Sequence, residues 1–151
     1  MTNNKKEAII YPMTTSKRVT EFHRKFNVPV DIPLNPNDLD LRINLIVEEF
    51  REVLQAADYH FSYNEQSRQI EISRPERPNV DPVALLKELA DLSYVIAGTA
   101  VTFGWNFDEA EQRVHDSNMS KLDENGKPIY REDGKVLKGP NYKAPDLEDL
   151  V

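Results

Sequence analysis

The stretch LLKELADLSYVIAG, Leu85–Gly98, decides how this chain is read. Its apolar residues predict a helix that lies mostly inside the protein. Yet Glu88 and Asp91 stand in it one turn apart. Asp is a poor mid-helix residue, because its side chain competes for nearby backbone groups. A carboxylate taken out of water also loses its hydration, which is costly unless something replaces it. Lys87 is the one opposite charge beside the pair, and sequence neighbours do not face each other on a helix. The acids call for a counter-charge from elsewhere.

Outward from this stretch, Asp81-Pro82 opens the helix as N-cap and N1, the position where Pro costs least. The helix is expected to run to about Phe103, with Gly104 ending it. Asn106 to Glu109 carries a capping-box pattern that opens a last helix, to about Leu122. Upstream, a long helix is predicted over roughly Asp38 to Phe61. Leu41, Leu45, Phe50, Val53, Leu54 and Ala57 form its apolar stripe, widened by Ile43, Ile46 and Val47. A short first helix spans Thr14 to Phe26, with Val19, Phe22 and Phe26 at helical spacing. Between them NVPVDIPLNPND, with three prolines, reads as an extended connector. Residues 1–12 read as an N-terminal arm. Residues 62–80 are polar, with two prolines, and the alternation in RQIEIS hints at a short strand. Residues 123–151 form a C-terminal arm with two turn signals, NG and DG. The expectation is one domain over 1–151, all-α, with four helices and a non-helical C-terminal arm.

Composition fits that picture. A length of 151 residues favours a single domain, and 30% charged with 39% hydrophobic residues suits a folded chain. The longest apolar run, Tyr94 to Val101, is too short to span a bilayer, and MTNNKKEAIIYP has no hydrophobic signal core. Cysteine is absent, which excludes disulfides and thiolate metal sites. These features lead us to expect a cytoplasmic protein without a membrane partner. A net charge of −7 argues against gripping a nucleic-acid backbone, which takes several Lys or Arg at phosphates.

The chemistry concentrates in two helices. VEEFRE supplies Glu48, Glu49 and Glu52, and KELAD supplies Glu88 and Asp91. Glu48 and Glu52 are i and i+4, and Glu49 and Glu52 are i and i+3, so they are neighbours on the helix surface. Antiparallel packing of the two helices would bring five carboxylates together, where they would repel. Hard divalent cations such as Mg²⁺ or Mn²⁺ resolve that repulsion. EExxE alone is more often a solvated face; ExxD inside an apolar helix is less ordinary.

EExxE followed by ExxD resembles the signature of the all-α nucleoside triphosphate pyrophosphohydrolases. This MazG-like group includes dimeric dUTPases, dCTP pyrophosphatases and phosphoribosyl-ATP pyrophosphohydrolase. TEFHRKF resembles the first-helix segment of MazG-like dUTP-hydrolysing proteins. HDSNMSKL with DGKVLKGPNYKAPDL resembles the end of the last helix and the phosphate-side arm in that subgroup. The resemblance covers most of Thr15 to Leu147. The gap between Glu52 and Glu88 is longer than the group usually shows, and the extra length falls in residues 62–80.

The resemblance implies a reaction: hydrolysis between the α- and β-phosphates of a (deoxy)nucleoside triphosphate, giving the monophosphate and pyrophosphate. It implies that Glu48, Glu52, Glu88 and Asp91 bind Mg²⁺ or Mn²⁺, two to three ions per site. Glu49 would hold a further ion or accept the proton of the attacking water. It places Asn118 and Lys121 at the phosphates, and Lys135, Lys138 and Tyr142 on an arm that closes over them. His23 and Arg24 could touch substrate through the first helix. It also implies a homodimer or a dimer of dimers, matching the wide apolar faces of the long helices.

The remaining residues carry weaker signals. The three histidines show no metal spacing. Trp105, Phe22, Phe26 and Phe50 read first as core or interface. Ser117 and Ser120 have no evident base partner. The alternatives to a dNTP pyrophosphohydrolase are an enzyme acting on phosphoribosyl-ATP and a non-catalytic helical interaction module.

Overall fold

The structure is a computed structural model and describes residues 13–151. The expected N-terminal arm, residues 1–12, lies outside the described residues. Four helices form: α1 (Thr15–Lys25), α2 (Pro36–Ala56), α3 (Pro82–Thr102) and α4 (Phe107–Met119). A two-stranded antiparallel ribbon, β1 (His60–Asn64) and β2 (Gln69–Ser73), lies between α2 and α3. A terminal 3-10 turn covers Glu148–Leu150. The all-α expectation holds, with this small ribbon added.

Each helix starts on a side-chain cap, which satisfies N–H groups that have no intrahelical partner. Thr14 Oγ1 accepts from Lys17 N, Asn35 Oδ1 from Asp38 N at 3.0 Å, and Asp81 Oδ1 from Val83 N at 2.8 Å. Asn106 Oδ1 accepts from Glu109 N at 3.3 Å. The reciprocal half of that capping box is diverted, because Glu109 Oε1 takes Arg113 Nε at 2.9 Å.

Two expectations are corrected. The second helix starts earlier, on the Asn35 cap, and stops at Ala56 rather than Phe61. Asp58 adopts a left-handed φ of 59°, and Tyr59 N turns back to Leu54 O at 2.8 Å. Asp58 Oδ2 also accepts from Asn79 N at 2.8 Å, which ties the two ends of the excursion together. His60 and Phe61 thereby enter a strand. The hint of one strand in RQIEIS becomes a full hairpin, closed by a turn in which Asn64 Oδ1 accepts from Gln66 N and Ser67 N.

The second correction concerns α3, which is deeply covered only over its C-terminal half. Ala97, Gly98, Ala100, Val101 and Thr102 are buried, whereas Val83 and Leu86 are exposed. The cause is the arrangement of neighbours. α2 runs along α3, and α1 joins through a core of Val19, Ala97 and Val101, flanked by Val30, Tyr94 and Phe107. The connector after α1 supplies the last piece: Asp31 N and Ile32 N donate to Val101 O and Thr102 O, carbonyls at the end of α3. Phe22, Phe26 and Phe50, read first as core, are all exposed; Phe26 lies past the end of α1 and stacks on Phe22 with centroids 4.3 Å apart. No described helix is long and apolar enough to cross a membrane.

Candidate metal centre

Because α2 and α3 pack side by side, Glu49, Glu52 and Glu88 come together. One carboxylate oxygen from each lies within 4.8 Å of the others, and all three residues are half-buried. Glu49 Oε2 is buried with no hydrogen-bond partner among the described residues. An unpartnered buried acceptor is costly and asks for an external partner. Burial pushes the Glu49 carboxyl up from the ordinary range; Glu52, Asp91 and Glu88 add to the rise and Lys87 opposes it.

Asp91 adjoins this group without joining it. Its carboxylate is held by Lys87 Nζ at 2.9 Å, and the same ammonium reaches Glu88 Oε2 at 3.0 Å. The sequence argument that Lys87 cannot face Glu88 is therefore corrected. A four-carbon stem lets the ammonium swing along the helix surface to both acids. This exposed lysine supplies positive charge to the carboxylate cluster, a role that a divalent ion can take more fully. Glu48 is exposed and borders a shallow hollow with Arg51, Glu52 and Gln55. It stands outside the three-carboxylate group.

The C-terminal residues form a separate constellation. Lys121 Nζ donates to Asn118 Oδ1 at 2.7 Å, and Lys138 Nζ lies 4.1 Å from the centroid of the Tyr142 ring. Lys135 is exposed in the turn that closes the Tyr130–Val136 bridge. The arm is fastened to the end of α4. Ser117 Oγ donates to Lys143 O at 2.7 Å, Lys143 N donates to Ser120 Oγ at 2.9 Å, and Gly139 N donates to Lys121 O at 2.9 Å. Arg113 bonds Asp149 and the Asp146 carbonyl. The two serines thus have a structural use that the sequence did not reveal. Among the described residues, no hydrogen bond or ion pair joins this constellation to the carboxylates of α2 and α3.

His23, which the sequence offered as a substrate contact, is buried, and its Nδ1 lies 2.9 Å from Pro29 O. Burial lowers its pKa, against that hydrogen bond and with help from the Arg42 charge. Sequence reasoning missed Arg42 itself. Its guanidinium is buried beside Gly98 and its Nε has no hydrogen-bond partner among the described residues. The signal was available, since Arg42 lies seven residues before Glu49 and so shares its face of α2.

A mainly helical scaffold with acids of two antiparallel helices focused on one point, one buried oxygen among them without a partner among the described residues, defines an all-α nucleotide pyrophosphohydrolase when the sequence relationship is added. The model of the phosphoribosyl-ATP pyrophosphohydrolase family matches residues 19–118, about two thirds of the chain, and the chain belongs to that family. The match includes all five carboxylates and the hairpin, and ends before Lys121 and the arm. No curated protein matches the chain.

Proposed function

We propose that this chain is a metal-dependent hydrolase that splits a deoxynucleoside triphosphate between its α- and β-phosphates, releasing the monophosphate and pyrophosphate. The observation that carries the reading is the meeting of Glu49, Glu52 and Glu88 around the unpartnered Glu49 Oε2. Glu49, Glu52 and Glu88 would hold Mg²⁺ or Mn²⁺, and Asp91, now paired with Lys87, and Glu48 would be the further carboxylates available to the ions. A metal held there would supply charge to offset the phosphates and to lower the pKa of a water. Glu49, buried among the other acids, would either hold one of the ions or accept the proton of the attacking water. Asn118, Lys121, Lys135, Lys138 and Tyr142 bind the triphosphate oxygens, with donors and cations that suit phosphate. Buried and bonded to Pro29, His23 orients the first helix beside the substrate.

The separation of that constellation from the carboxylates supports assembly as a homodimer, in which a second copy brings its arm to the site. The outer faces of the helices support the same reading. On α2, Ile43, Val47 and Phe50 are exposed in one stripe, and on α3, Leu89 and Ile96 are exposed.

TEFHRKF and HDSNMSKL favour a deoxynucleotide such as dUTP or a purine dNTP. The family match favours a second reading, phosphoribosyl-ATP. A substrate panel of dNTPs, dUTP, NTPs and phosphoribosyl-ATP with Mg²⁺ or Mn²⁺, with products resolved, tests both. The expected result is one preferred dNTP giving monophosphate and pyrophosphate, with activity falling at least about 100-fold in Glu52→Ala and Asp91→Ala. Turnover confined to phosphoribosyl-ATP would install the second reading. Release of inorganic phosphate would overturn the assigned bond.

A further inference from the structure

We propose that the apolar face of the β1–β2 hairpin docks onto a second copy of this chain, so that the insertion is the arm that closes the dimer. The inference rests on the homodimer proposed above and assigns a task to a segment that the reaction does not use.

The strand register fixes the face. Phe61 pairs with Ile72 and Tyr63 with Ile70. Directly opposed residues share one side of a ribbon and successive residues alternate, so all four stand on the same side. The other side is polar, where Asn64 Nδ2 donates to Glu71 Oε1 at 2.7 Å. The apolar four are 37%, 49%, 58% and 59% exposed for Phe61, Ile72, Tyr63 and Ile70, and the outermost pair is the most open. Their own chain meets them at the base, where Phe61 packs edge-on against Phe50 of α2 with centroids 6.5 Å apart. A lone two-stranded hairpin is marginally stable in water, and contiguous apolar patches of this kind mark interaction sites.

Continuity and area identify the occupant. Through Phe50 the ribbon face runs into the α2 stripe of Ile43 and Val47, beside Leu89 and Ile96 of α3. The exposed parts of those five helical residues come to roughly 400 Å², about half of the ~800 Å² per partner that a stable interface needs. The four hairpin residues add about as much again, roughly 450 Å², which brings the total to the standard size. A surface that is complete only with the hairpin, and apolar throughout, suits an isologous contact with the same surface of another copy. Apolar contact also tolerates the net charge of −7 that each copy carries.

Sedimentation velocity over a dilution series, with amide hydrogen exchange on the hairpin, tests the proposal. Wild type is compared with Tyr63→Glu/Ile70→Glu on the apolar face and Ser62→Asp/Ser73→Asp on the polar face. All four positions are exposed, and far-UV circular dichroism checks that each variant is folded. The expected result is a wild-type dimer whose hairpin amides lose protection on dilution. The apolar-face variant dissociates at concentrations at least 100-fold higher, and the polar-face variant matches wild type. A dimer of undiminished affinity in the apolar-face variant overturns the hairpin's role while leaving the homodimer standing. A wild type that is monomeric throughout removes the homodimer, and this inference with it. Hairpin protection that persists in such a monomer assigns the face to residues of its own chain.

Discussion

At the scale of single residues, the burial of Glu49 among other acids works against stability. Its carboxyl titrates above the ordinary range because burial and the acids around it disfavour the charge. A raised folded-state pKa means that its favourable contribution is complete below the unfolded value, near 4.5, and is lost as pH rises through the folded value. In chelator, Glu49→Gln is therefore expected to melt higher than wild type at pH 7 and to converge with it near pH 4. Mg²⁺ is expected to raise the wild-type melting temperature and leave the variant almost unmoved. Melting curves against pH, with and without metal, check both; an apo variant that melts lower at pH 7 would contradict the reading. Arg42 makes a parallel case, as a buried cation whose Nε has no partner among the described residues. Nearby Asp38 favours its charge, but that carboxylate already takes Asn35 Nδ2 at 2.8 Å. Arg42→Met is expected to stabilise the chain by about 1–2 kcal/mol in urea unfolding. A loss of similar size would mean that the guanidinium has a partner.

Among the elements, the docked arm depends on one glycine. A Cβ at Gly139 would lie 2.5 Å from Leu122 O and 2.6 Å from Lys121 O, closer than real contacts allow. Both neighbours are backbone and cannot swing aside. Gly139→Ala is expected to free the arm from α4, seen as proteolytic nicking between residues 123 and 142, and to raise KM more than it lowers kcat. Unchanged nicking would show that the serine clamp on Lys143 holds the arm alone. The helices were legible because caps and periodicity coincide at Asp81-Pro82 and Asn106. The carboxylates were legible because i, i+3 spacing dictates a shared face. The end of α2 was not. Ala57 and Phe61 continue its apolar stripe, while the stop comes from the left-handed Asp58 and its bond to Asn79, a residue 21 positions away. β1 was hidden for the same reason, since HFSYN gains its strand only by pairing with QIEIS. Glu48 shows another limit: periodicity names a helix face but not which residue on it a neighbouring helix covers.

For the whole molecule, the homodimer proposed from the exposed faces of α2, α3 and the hairpin would make stability depend on concentration. Association that stabilises the folded state raises the melting temperature with protein concentration. A 100-fold increase in chain concentration is expected to raise it by several degrees, read by calorimetry from micromolar upward, and a constant value would argue that the chain folds and works alone. The excursion between Ala56 and Pro82 has a further consequence, in chain statistics. The entropy of closing a loop grows only with the logarithm of its length, about 0.6 kcal/mol per doubling. The bond from Asn79 N to Asp58 Oδ2 and the β-ladder already bring the ends of this loop together. Lengthening its tip, at residues 65–68, therefore changes the closure entropy very little and leaves the pairing of α2 with α3 in register. The segment is a place where evolution or an engineer can add residues while the distances among the three carboxylates stay fixed.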